Sequence, residues 1–197
     1  MLLKGRYKLA RARSGWWYNG SAMSTPLTPQ TAGSTTVYVV AGGNHVEIAL
    51  DRSQSNELLD VIEVRAAPGG GPPPHRHAFA EWFRVLEGEL TFTEERDGVM
   101  RATHTLGPGG SVFVAPWIYH GTLNLTDRPC RFEVVGQPGM MSGYFAQAGV
   151  PVADVYTEPD RAPPGPAELR DISARWGIEF WTGPTDPSST PAIAPPA

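Results

Sequence analysis

Between Thr35 and Gln137 the chain runs through nine short segments rich in Val, Ile, Phe and Thr, parted by Gly, Pro and Asp, with no helical stretch between them. They read TTVYVV, HVEIAL, LLDVIEVRA, EWFRVLEG, ELTFTEE, VMRATHTL, SVFVA, GTLNL and RFEVVGQ. Runs of this length and composition are strand-like, and the separators are turn formers. In DVIEVRA, Ile62, Val64 and Ala66 alternate with Glu63 and Arg65, the period of a strand with one buried face. Asp97-Gly98 between two such runs reads as a hairpin turn. So many short strands without intervening helices predict an all-β barrel or sandwich.

Helical periods come only after the strands. In PGMMSGYFAQAG, Met140, Met141, Tyr144, Phe145 and Ala148 fall at helical spacing with Gly149 as a stop. In PAELRDISARWG, Pro166 opens a helix, Leu169, Ile172 and Trp176 share a face, and Gly177 follows the end. Both apolar stripes read as packing against the barrel. IEFW at 178–181 fits an added edge strand, and the Pro-rich end reads as a disordered tail. The expected organisation is an N-terminal arm over residues 1–36, disordered or strand-exchanged, a barrel over 37–137, helices and a strand packed on it over 138–182, and a disordered tail over 183–197.

Composition narrows the partners. Sixteen Lys and Arg against twenty Asp and Glu give a net charge of -4, which offers no electrostatic footprint for nucleic acid or an anionic membrane. No run approaches the roughly 18 consecutive apolar residues of a membrane-spanning helix. The single cysteine, Cys130, cannot form an intrachain disulfide, and Lys4, Arg6 and Lys8 interrupt any secretory apolar core. A cytoplasmic protein with a small-molecule partner is the expectation.

One stretch carries chemistry: GGGPPPHRHAFAE, residues 69–81. On a strand that runs on without a bulge, side chains two apart share a face, so His75, His77 and Glu81 would point the same way. Imidazole and carboxylate together suit a divalent transition metal with positions left open for water or substrate. Gly69 to Gly71 permit a tight turn, and Pro72 to Pro74 stiffen the entry to His75. A further ligand is needed from elsewhere. His120 is the candidate, since GGSVFVAPWIYHGTLN is a Gly turn, an apolar strand, a Pro break and then His, and such a strand could lie beside the first. His45 and His104 have no ligand-spaced partner and read as ordinary histidines.

From Gly69 to Gly88 the spacing resembles the first signature of the cupin superfamily: Gly69, five residues, His75, one residue, His77, three residues, Glu81, six residues, Gly88. His120 and Asn124 keep the final spacing of the second signature. Before them Ala115 stands at its Pro position, with Pro116 one place late and Trp117 at its Gly position, which implies a reshaped turn. The resemblance implies a double-stranded β-helix, or jelly-roll barrel, with short C-terminal helices. It further implies one divalent transition metal ion per chain, iron, manganese, nickel, cobalt, copper or zinc. His75, His77 and His120 would hold it, with Glu81 as a fourth ligand or as the catalytic group that takes a substrate proton.

Within the superfamily, PPPHRHAFAEWFRVLEGELTF and QPGMMSGYFAQAGVP look most like single-domain cupins related to the flavonol (quercetin) dioxygenases. This implies an oxidoreductase acting with dioxygen on a small flavonol-, catechol- or enediol-like substrate. A non-oxidative metal cupin, an isomerase or lyase on a small hydroxyacid or sugar, and a non-catalytic small-molecule-binding cupin are the alternatives. Cupins also imply a homodimer. Phe79, Phe83, Phe113, Tyr119 and Phe132 are candidates to line a pocket or to serve as core, while Arg84 and Arg131 read as surface ion-pair residues.

Overall fold

The computed structural model describes residues 35–186. Its strands are β1 (Thr36–Val40), β2 (Asn44–Leu50), β3 (Asp60–Ala66), β4 (His75–Arg76), β5 (Ala80–Glu87), β6 (Leu90–Arg96), β7 (Val99–Leu106), β8 (Ser111–Val114), β9 (His120–Leu123), β10 (Cys130–Gln137), β11 (Val150–Val152) and β12 (Glu179–Phe180). Alternation assigns their faces. Ile62, Val64 and Ala66 of β3 point inward between half-buried neighbours, as do Cys130, Phe132 and Val134 of β10. On β5 the inward file is Glu81, Phe83 and Val85, while Trp82 and Arg84 face out. A carboxylate in a file that otherwise builds the core is a departure from the pattern that marks function.

The strands form a seven-stranded sheet in the order β11-β1-β2-β3-β10-β5-β8 and a five-stranded sheet in the order β12-β4-β9-β6-β7, with antiparallel ladders throughout. The two sheets roll against each other as a jelly roll. Phe83 of the first and Phe92 of the second meet edge to face, ring centroids 5.4 Å apart, at the centre of a core that includes Val46, Ile62, Leu90 and Phe132. The expected hairpin turn is present: Asp97 and Gly98 both have positive φ, 54° and 77°, the backbone of a two-residue turn that matches strand twist.

Two helices follow, α1 (Met141–Ala148) and α2 (Pro166–Arg175). Pro166 starts α2 after Gly165, Glu168 and Arg175 sit at the ends that suit their charges, and Gly177 turns the chain away at φ 68°. Gly143 lets the helices meet, because a Cβ there would lie 2.2 Å from Trp176 Cη2.

Two features of the fold exceed the sequence reading and one agrees with it. β11 pairs with β1, although Val150-Pro151-Val152 is too short to register as a strand on its own. The edge strand expected within 178–181 is β12, paired with β4. The head of the segment expected as a disordered tail lies along β7: Met100 N–H donates to the Pro184 carbonyl and Asp186 N–H to that of Met100. The remaining tail, 187–197, and the N-terminal arm up to residue 34 lie outside the described residues. Among the described residues no helix is long and apolar enough to cross a membrane.

Cys130 sits 1% exposed beneath the Gly88 turn, and burial pushes its thiol up to about 11. In the folded protein at pH 8, Cys130 is expected not to react with Ellman's reagent, and one thiol per chain is expected to titrate after denaturation in urea. Fast stoichiometric labelling of the native protein would contradict this packing.

Candidate metal centre

The segment after β3 is held against β9 by its glycines and by Asn124. A Cβ at Gly71 would lie 1.9 Å from the Thr122 carbonyl oxygen, so only glycine permits the approach. Gly69 N–H donates to the Asn124 carbonyl and Asn124 N–H to that of Gly70. The Asn124 side chain, 0% exposed, donates from Nδ2 to the carbonyls of Ala66, Ala67 and Arg128, and its Oδ1 accepts from the backbone and hydroxyl of Thr126. The asparagine of the second motif is therefore the tie between the Gly-rich turn and β9.

Beyond the prolines, β4 lasts only two residues and places His75 directly opposite His120 on β9, as expected for neighbouring strands. The expectation of a single strand carrying His75, His77 and Glu81 on one face is corrected here. The strand stops at Arg76, and His77-Ala78-Phe79 crosses from the five-stranded sheet to the seven-stranded one, where Glu81 rises from β5. The side chains still converge, because the crossing turns His77 back toward the interior. Trp117 fixes that crossing through its N–H, which donates to the His77 carbonyl at 2.7 Å. Its φ is 67°, so the residue at the Gly position of the motif keeps the left-handed backbone that glycine would take, at a cost of about 1 kcal/mol or more.

Each of the three histidines bonds a backbone carbonyl through Nδ1: His75 that of Pro73, His77 that of Phe79, His120 that of Ile118, all at 2.9 Å. A carbonyl only accepts, so Nδ1 carries the proton and Nε2 is the free ligand atom on every ring. Phe79 stacks flat on His77, centroids 3.6 Å apart and 4° from parallel, and locks that ring. The three imidazoles offer nitrogens that all lie within 4.8 Å of one another. His77 and His120 are buried and His75 is half-buried, which leaves one open side.

Glu81 faces this group. Its Oε2 lies 3.1 Å from His77 Nε2 and 2.9 Å from His120 Nε2. Burial alone would raise its carboxyl, but the bonds from His120 and His77 outweigh burial and hold it well below the usual carboxylate range. Burial likewise pulls His120 down, and the Glu81 carboxylate outweighs it and raises the imidazole. For His75, burial and the neighbouring His120 push the pKa down to about 3. With Nδ1 already protonated, inward lone pairs facing a carboxylate repel one another unless a cation lies between them. Protons or a metal ion meet that need, and the three-imidazole, one-carboxylate set is one that divalent transition metals accept.

The centre opens on a cavity of about 130 Å³, with space on the order of ten water-sized positions. Its lining is mostly apolar. Phe79, Phe83 and Phe132 are part of it, whereas Phe113 is 66% exposed on the outer face of β8 and Tyr119 packs against Trp181. Tyr144 and Phe145 of α1 also line it, together with Leu169 and Phe180; the sequence reading took the helical stripes as plain packing. Arg131 pairs with Glu63 and Glu87 on the surface, and Arg84 is exposed. His45, bonded to the Thr157 carbonyl, and exposed His104 stand outside the cluster.

Residues 62–136 match the family model described as Cupin domain, the part of the chain that holds every side chain of this centre. Among solved structures, the chain is similar to the polyketide cyclase RemF from Streptomyces resistomycificus (22% identity, 57% of this chain and 80% of that one, TM-score 0.49). It is also similar to an RmlC-like cupin from Shewanella frigidimarina (21% identity, 58% and 93%, TM-score 0.47) and to oxalate decarboxylase from Bacillus subtilis (18% identity, 54% and 28%, TM-score 0.47). No curated protein matches the chain.

Two predictions follow from the geometry. Elemental analysis of purified protein is expected to find about one divalent transition metal ion per chain in the wild type, and His75→Ala and His120→Ala to lose most of it; equal metal in all three would contradict the site. Asn124→Ala is expected to lower stability by about 2–3 kcal/mol in urea denaturation, because buried carbonyls lose their donor.

Proposed function

We propose that this protein is a metal-dependent oxidoreductase of dioxygenase type, acting on a small flavonol-, catechol- or enediol-like substrate bound at His75, His77 and His120. The observation that carries the reading is the set of three Nε2 atoms, each fixed by an Nδ1–H bond to a carbonyl, facing an apolar cavity beside an ionised buried carboxylate. A divalent metal held there supplies positive charge that acidifies a substrate hydroxyl and draws an electron-rich anion into the pocket.

The chain's own residues do the rest. Glu81 Oε2, ionised and within hydrogen-bond reach of two ligand histidines, is placed to take the hydroxyl proton as substrate enters. The Nδ1–H bonds hold the rings against rotation, and the stack of Phe79 on His77 adds to this. Phe83, Phe132 and Phe145 exclude water, which lengthens the life of a bound anion and favours flat aromatic ligands.

With metal-loaded protein in an oxygen electrode, a panel of 3-hydroxyflavone, catechols and an enediol is expected to give dioxygen consumption with at least one member. Glu81→Gln is expected to lower that turnover about 100-fold or more. Product formed without dioxygen uptake would overturn the dioxygenase reading in favour of non-oxidative chemistry at the same centre.

A further inference from the structure

Three polar side chains outside the metal centre line the cavity: Tyr144, whose hydroxyl pairs with that of Ser173, and Asn44 and Thr122. Asn44 opens β2 and Thr122 stands two residues beyond His120 on β9; both line the cavity and each is 4% exposed. Asn44 Oδ1 accepts the Ala67 N–H at 3.2 Å, which fixes the orientation of the amide and leaves the Nδ2 donors pointing elsewhere. Gly70 presses on the same edge, since a Cβ there would lie 2.1 Å from Oδ1. Among the described residues neither Asn44 Nδ2 nor Thr122 Oγ1 has a hydrogen-bond partner. The fully enclosed, unpaired side-chain atoms belong to Asp60, Thr93 and Arg131 instead, so Asn44 Nδ2 and Thr122 Oγ1 keep some accessible surface on residues that line the cavity.

A buried amide donor and a hydroxyl, both unpaired and both on residues that line one mostly apolar cavity, select for a ligand group that satisfies them. Two residues along a strand span about 6.6 Å, so Thr122 lies that far along β9 from His120. We propose that Asn44 and Thr122 are the specificity residues of this pocket, binding a hydrogen-bond-accepting oxygen on the ligand, of carbonyl or phenolate type, about 6–7 Å from the oxygens directed at the histidines. This rests on the proposed function, and it narrows the substrate class to rigid aromatic molecules with oxygen functions at opposite ends. Val46, Ile62 and Phe132 line the same cavity and offer such a molecule no polar contact.

The test compares 3,4-dihydroxybenzaldehyde with 4-methylcatechol, which share the diol and differ in the acceptor across the ring. Calorimetric titration of the metal-loaded protein is expected to give about tenfold tighter binding of the aldehyde. In Asn44→Asp, which keeps an acceptor for the Ala67 N–H but replaces the donor, the ratio is expected to fall to one or invert. Thr122→Val, which keeps the side-chain shape, is expected to reduce it several-fold. Thermal melting confirms that each variant is folded. Equal affinity of the two catechols in the wild type, or a ratio unchanged in both folded variants, overturns the inference. A parallel titration of metal-free protein with 4-hydroxybenzaldehyde and 4-methylphenol separates the two claims. An Asn44-dependent preference for the aldehyde there, with neither catechol bound by the metal-loaded protein, supports the anchor and refutes the metal reading. The absence of that preference in both titrations refutes the anchor.

Discussion

The Gly69–Gly71 backbone runs so close to β9 that a Cβ on Gly71 would touch the Thr122 carbonyl, and Asn124 bonds this turn from both its backbone and its side chain. That contact sets the height at which the stiff Pro72–Pro74 segment delivers His75 opposite His120. A second tie, Trp117 N–H to the His77 carbonyl, closes the crossing between sheets from the other side. The clustered histidines thus sit on backbone that is fixed at both ends, and this is the rigidity a metal site needs if its geometry is to favour one ion and one ligand orientation.

Electrostatics make the same arrangement expensive without a cation. Glu81 occupies a core file between apolar neighbours, and a lone buried carboxylate would cost several kcal/mol. The hydrogen-bond contacts of Glu81 with His77 and His120 offset that cost. Metal binding would put a single cation in the place of those bonds, opposite the same carboxylate. The cavity behind it is mostly apolar, and Asn44 and Thr122 are polar members of its lining.

Alternation in DVIEVRA and EWFRVLEG was enough to read an all-β roll from the sequence, because each strand has one buried face and period two survives in the residues. The convergence of His75, His77, Glu81 and His120 could also be read, through the spacing of the first three and the isolated position of the fourth. What spacing could not convey is how the chain joins them: parity assumes one strand, whereas the segment changes sheets at His77. The left-handed Trp117 was equally hidden, since a Trp carries no sign of positive φ. The apolar stripe of α1 says that the helix packs on something, but not that Tyr144 and Phe145 pack over a void. Asn44 follows Gly42-Gly43 and looks like a turn residue; only the close approach of Gly70 shows its amide turned inward.

The central claim is that three Nδ1-protonated histidines present Nε2 to one ion. Long-range proton–nitrogen correlation spectra of the histidine side chains, recorded before and after one equivalent of zinc, test it directly. The account predicts that His75, His77 and His120 are Nδ1–H in the zinc-bound protein and that their Nε2 resonances shift together, while His45 and His104 do not respond. Nε2-protonated rings at these positions in the zinc-bound protein, or shifts confined to one histidine, would contradict it.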